Sequence, residues 1–190
     1  MELNQYQQLS ERTSRYKDHR YDPAEVGERP PEREKLLRAT LQLVAASGKL
    51  LERLKKHFFF GHPLDAEATK ADQVRLHDAY WDMVVAGDKY QDTPPSSPAP
   101  SGRDRLLAAA FGLGGEVGEL LEHLEQHLFA GAPFDAGQLT GEGGDVQYYV
   151  AEVFSALGIE LEQVGQKNID KLKKRYPEGF TEERSLNRLA

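Results

Sequence analysis

The chain has 190 residues, 39% of them hydrophobic and 29% charged, which suits a water-exposed globular fold with one sizeable core or two small ones. A net charge of −7 argues against nucleic acid as a partner, and the absence of cysteine excludes disulfides and thiolate metal sites. Any metal must then sit on carboxylates or histidines, a donor set that favours hard cations such as Mg²⁺ or Mn²⁺.

In chain order, Met1 leads into a polar Glu2-Leu3-Asn4-Gln5, unlike a signal peptide, and the apolar runs are too short to span a membrane, so no membrane partner and a cytoplasmic location are expected. Residues 1–32 read as an N-terminal arm that closes on the helix-breaking Gly27-Glu28-Arg29-Pro30-Pro31. Residues 33–91 follow as a helical hairpin, with helices from about Glu34 to Phe59 and Ala71 to Tyr90. Residues 92–102 hold four prolines and read as an extended linker. Residues 103–180 repeat the hairpin and add a helix from about Leu161 to Arg175, closed by Tyr176-Pro177-Glu178-Gly179. Residues 181–190 form a tail.

The repeat is explicit. Residues 33–66 align without a gap on residues 103–136, with 16 of 34 positions identical, among them His57/His127, Gly61/Gly131, Pro63/Pro133 and Asp65/Asp135 at the turn. In the second copy Leu106, Ala110, Leu113, Val117, Leu120, Leu124 and Leu128 recur in steps of three and four, the mark of an amphipathic helix. Gly131 and Pro133 stop that helix, and Asp135 is placed to cap the next. No segment alternates with period two. The expected fold is all-α: an antiparallel four-helix bundle of two duplicated hairpins, with the arm and the C-terminal helix added.

The second copy carries Glu116-Val117-Gly118-Glu119 and Glu142-Gly143-Gly144-Asp145. Spacing of i, i+3 puts both acids of each pair on one helix face, and antiparallel pairing brings the two faces to one edge of the hairpin. A solvated acidic face would look similar from one helix alone. The surrounding glycines each cost a helix up to about 1 kcal/mol relative to alanine, which points to a close approach by backbone or ligand. Carboxylates roughly 5 Å apart repel by about 3 kcal/mol per pair at an effective dielectric near 20, so the cluster calls for a cation or shared protons.

These residues resemble the all-α nucleoside triphosphate pyrophosphohydrolases, the MazG-like proteins and dimeric dUTPases. Gly112-Leu113-Gly114-Gly115-Glu116-Val117-Gly118-Glu119 is similar to the family's first helix and Gly144-Asp145-Val146-Gln147-Tyr148-Tyr149 to its second. Asn168 to Phe180 resembles the tail of MazG-like members, and Leu3-Asn4-Gln5-Tyr6-Gln7 their arm. Where members usually carry Glu-Glu-Leu-Gly-Asp, this chain has Gly141-Glu142-Gly143-Gly144-Asp145.

The resemblance implies hydrolysis of a nucleoside triphosphate substrate to monophosphate and pyrophosphate. Glu116, Glu119, Glu142 and Asp145 would hold Mg²⁺ (or Mn²⁺), with Glu119 or Glu116 orienting the attacking water. Asn168, Lys171 and Arg175 would meet the phosphates. In the first copy Ala46, Lys49, Asp72 and Arg75 stand opposite the four acids, so that copy lacks the metal site. Its Lys55 and Lys56 are candidates for substrate binding, while Trp81, Tyr80 and Phe58 read as bundle core and His57 and His127 as structural caps. A homodimer is expected. The competing readings are a phosphoribosyl-ATP pyrophosphohydrolase, and a helical binding or regulatory protein whose site has decayed.

Overall fold

A computed structural model describes residues 1–24, 31–90 and 101–186. Of the break expected at residues 27–31 only Pro31 lies within them, and of the linker only its last two residues. Regular structure among the described residues is all-α, as the helical periodicity requires: α1 (Leu3–Glu11), α2 (Pro31–Phe60), α3 (Ala66–Lys89), α4 (Gly102–Ala130), α5 (Ala136–Ala156), α6 (Leu161–Arg175) and α7 (Glu182–Leu186). None of these helices is long and apolar enough to cross a membrane.

The chain divides into two compact units. One joins Met1–Val26 to Ser96–Asn168 and holds the hairpin α4–α5 with α1 against α5; the other joins Gly27–Pro95 to Ile169–Ala190 and holds the hairpin α2–α3.

The two hairpins turn by the same device. Gly61 and Gly131 adopt φ of 68° and 76°, the left-handed conformation that ends a helix and favours glycine. His57 Nδ1 then bonds the His62 carbonyl at 2.9 Å, and His127 Nδ1 the Ala132 carbonyl at 2.8 Å, so both histidines tie the turn as structural caps. Asp65 accepts from the Ala68 N–H and Asp135 from the Gln138 N–H, each capping the return helix. Because Asp65 caps, α3 starts at Ala66, five residues before the Ala71 suggested by apolar periodicity. Ser101 and Asp104 form a reciprocal capping box at the head of α4.

Close helix approach rests on alanines. Ala39, Ala46, Ala79 and Ala86 are buried in α2–α3, and Ala109, Ala151 and Ala156 in α4–α5. Trp81, Tyr80 and Phe58, expected in a core, are 51%, 48% and 69% exposed, because the alanine seam takes the space between α2 and α3.

The arm is fixed by a buried polar network. Arg105 on α4 is fully buried; its Nη2 reaches Glu152 at 3.1 Å and Glu11 at 2.9 Å, and its Nη1 donates to the Lys17 and His19 carbonyls. Ser14 donates to Glu152 at 2.6 Å. Gln7 gives its amide N–H to the Ile159 carbonyl and accepts from the Leu161 N–H, both at 2.8 Å, joining α1 to the start of α6. A buried charge so paired and hydrogen-bonded is costly to disturb from either side. The arm returns to α4 at Gly102, where an added Cβ would collide with the Arg20 carbonyl and lie 2.7 Å from Tyr21 Cα.

Candidate metal centre

The acids come together where the hairpin geometry puts them. Glu116 and Glu119 leave α4 three residues apart, and Glu142 leaves the second turn of α5. One carboxylate oxygen from each of Glu116, Glu119 and Glu142 lies within 4.8 Å of the others. Asp145, a turn further on α5, is outside that triplet. Its charge still acts on Glu116, Tyr6 and Tyr149.

The electrostatics match a site that wants a cation. Partial desolvation, and then the charges of Glu119, Asp145 and Glu142, push the Glu116 carboxyl above its ordinary value. Three oxygen donors of like charge, with at least one held reluctantly ionised, form a set suited to a hard divalent ion.

Around the acids the surface stays open. A Cβ added at Gly115, Gly118, Gly141, Gly143 or Gly144 would meet no neighbour within 4 Å. The close approach expected at these glycines is therefore not made by the described residues. Gly112 is different: a Cβ there would run into the Tyr149 ring, which lies against the α4 backbone.

Four residues at this edge escaped the sequence reading as site members. His123 Nε2 lies 3.5 Å from Glu142 Oε1; it continues the Glu116–Glu119 face by four residues, a signal present in the spacing. Tyr149 continues the Asp145 face in the same way, and burial, then the charge of Glu116, pushes its hydroxyl up. Gly112 makes room for that ring. Tyr6 comes from α1, and its hydroxyl donates to the Gly144 carbonyl at 3.5 Å. Burial and then Asp145 raise the Tyr6 hydroxyl as well. Nothing in local spacing could place an arm residue beside the second acid motif.

The remaining candidates lie elsewhere. Asn168, Lys171 and Arg175 are exposed on α6, in steps of three and four along one face. Lys55 and Lys56, near the end of α2, both pair with Glu52. In the first copy, Asp72 is buried and gripped by Arg53 at 2.7 Å, with Arg75 Nη1 3.6 Å away. Offset by 70 residues, Arg53 and Asp72 correspond to His123 and Glu142.

Residues 107–180, a span containing all four acids, match the family model described as the MazG nucleotide pyrophosphohydrolase domain. No curated protein and no solved structure matches the chain.

Proposed function

We propose, from the match of residues 107–180 to the MazG nucleotide pyrophosphohydrolase domain, that the chain hydrolyses a nucleoside triphosphate to the monophosphate and pyrophosphate. The observation that carries the reading is the convergence of Glu116, Glu119 and Glu142 within 4.8 Å on one open edge.

Those three carboxylates, with Asp145, would hold Mg²⁺ or Mn²⁺. Bound there, the ion would polarise the α-phosphate and lower the pKa of a water beside it. Glu119, the most exposed of the three, is our choice for orienting the attacking water and accepting its proton, with Glu116 beside it. His123 faces Glu142 at 3.5 Å without gripping it. Tyr149 and Tyr6 stand near the acids, and the open space over the nearby glycines leaves room for a phosphate chain. Asn168 and Lys171, with Arg175 one turn on, are proposed phosphate contacts through their amide and cationic groups.

The test is a panel of ribo- and deoxyribonucleoside triphosphates incubated with Mg²⁺. Equimolar pyrophosphate and monophosphate are expected as first products. Initial release of diphosphate and orthophosphate would show attack at another phosphorus and reject the mechanism.

A further inference from the structure

The first copy keeps only one of the four acids, yet its hairpin is not closed over. Two adjoining cavities run along the α2–α3 seam, of about 320 Å³ and about 400 Å³, with Gln42 and Asp82 lining both. Their positions acquire meaning through the 70-residue offset.

The cavity of about 320 Å³ is lined by Ala46, Lys49, Arg75 and Ala79, which stand where the second copy has Glu116, Glu119, Asp145 and Tyr149. It is the counterpart of the acidic edge. Replacement of a glutamate and a tyrosine by alanine opened it, and replacement of two acids by Lys49 and Arg75 reversed its charge. The neighbouring cavity is lined by Lys35, Asp82, Val85, Ala86 and Lys89, the counterparts of Arg105, Glu152, Ser155, Ala156 and Ile159. In the second copy those five residues bond the N-terminal arm. The first copy therefore keeps both compartments of the second as one trough, roughly 20 Å long at about 1.5 Å per residue from Lys35 to Lys49.

Charge decides what fits. Lys35, Arg38, Lys49, Arg75 and Lys89 contribute five positive charges to the lining and Asp78 and Asp82 two negative ones, a local excess of three on a chain of net −7. Asp72, the one acid retained opposite the four, is buried and held by Arg53 at 2.7 Å. Arg75 lies 3.6 Å from it but is itself exposed, so the Asp72 charge is met chiefly by Arg53 and leaves Lys49 and much of Arg75 uncancelled. At the acidic edge carboxylates need a divalent ion to face a phosphate; Lys49 and Arg75 face one directly.

We propose that the α2–α3 trough binds a phosphate chain without metal, its negative charges on Lys49 and Arg75, as a non-hydrolysing ligand site in the degenerate copy. The choice of a nucleoside phosphate rests on the nucleotide reading of residues 107–180; an inorganic polyphosphate, including the pyrophosphate product, offers the same chemistry. Of the four acids of the metal centre only Glu142 has an acidic counterpart there, Asp72, and Arg53 holds it, so the ligand is held and not cleaved.

The full chain is titrated in EDTA with inorganic triphosphate, with pyrophosphate and with nucleoside triphosphates, by calorimetry and by the fluorescence of Trp81. That tryptophan is the chain's only one and lies on α3 between Asp78 and Asp82. Saturable metal-free binding is expected, weakened about tenfold or more in Lys49→Ala/Arg75→Ala, since both charge-assisted contacts to the phosphates are lost together. Both side chains are exposed, so the variant should keep its fold, and circular dichroism checks that. Glu119→Gln/Asp145→Asn should bind as the parent does in EDTA. Tighter binding of nucleotide than of inorganic triphosphate identifies a nucleoside compartment; equal binding identifies the phosphate chain as the whole ligand. The proposal is overturned by absence of binding at millimolar ligand, by equal affinity in the Lys49/Arg75 variant, or by loss in the acid-site variant. It is also overturned if a peptide of residues 1–22 occupies the trough and phosphates do not. Pyrophosphate release with Mg²⁺, assayed separately, reports on the hydrolase reading, so either idea can fail without the other.

Discussion

His123 faces Glu142 across 3.5 Å, from α4 to α5, at the position where the first copy closes Arg53 on Asp72 at 2.7 Å. The pair is one cross-helix contact written twice, once with a permanent cation and once with an imidazole. Arginine holds its carboxylate with several donors in a fixed fork; an imidazole offers one ring nitrogen and leaves the carboxylate's other oxygen for a further ligand. His123→Arg should therefore pin Glu142 as Arg53 pins Asp72, and weaken Mn²⁺ binding at least tenfold by calorimetry. His123→Gln should bind the metal nearly as the parent does. Equal affinity in all three proteins would remove Glu142 from the ligand set.

A second expectation concerns the acids directly. Glu119→Gln/Asp145→Asn should lose saturable Mg²⁺ or Mn²⁺ binding and, with it, pyrophosphate release. Retained affinity would mean that the metal sits elsewhere.

Acidity gives an independent handle on the same cluster. The Glu116 carboxyl is raised in the folded protein by desolvation and by its acidic neighbours. The folded state then binds a proton more readily than the unfolded chain, so metal-free stability falls as pH rises from the ordinary carboxylate value through the raised one. Glu116→Gln removes that penalty. In EDTA it should melt higher than the parent at neutral pH, and the difference should shrink as pH falls below the ordinary carboxylate value. A variant that melts lower at neutral pH would contradict the repulsion argument.

Room at the edge is set by one glycine. Gly112→Ala places a methyl in the Tyr149 ring, an overpacking that should cost about 1–3 kcal/mol and tilt the ring away from Glu116. The melting temperature should drop and hydrolysis should slow. Gly118→Ala, where a methyl meets nothing within 4 Å, serves as its control and should leave stability unchanged or higher.

The all-α fold, both hairpins and the convergence of three acids were legible, because helical periodicity and i, i+3 spacing are properties of a single helix and its antiparallel neighbour. The histidine caps were legible because they occur twice. Less could be read where residues far apart meet. Arg105 looks like any arginine of a helix start, and only the folded chain shows it buried between Glu11, Glu152 and the Lys17 and His19 carbonyls. Tyr6 reaches Gly144 across 138 residues. Trp81 was misread because an aromatic at helical spacing suits a core until alanines such as Ala79 and Ala86 take the seam.

Arg105 also yields a stability prediction. Glu152→Gln leaves the buried guanidinium under-compensated and should destabilise the chain by about 3–5 kcal/mol, read from denaturant unfolding. Backbone amides of residues 14–21 should lose hydrogen-exchange protection first, since the arm hangs on this network. Unchanged protection there would mean that the Gln7 and Tyr21 bonds suffice.

The crowding of Gly102 against Arg20 and Tyr21 bears on how the gene can be cut. The polypeptide departs from one residue and comes back beside it, having made an entire hairpin in between. Such an excursion is an insertion with its two ends already joined in space, and removing it asks almost no new loop-closure entropy. A shortened chain, Tyr21 followed by two or three glycines and then Ser101, keeps the Ser101 cap, the arm bonds and all four acids. It should fold, bind Mn²⁺, and cleave nucleotide if the α4–α5 hairpin is sufficient for chemistry. The ancestral single-copy enzyme would then be recoverable by deletion alone.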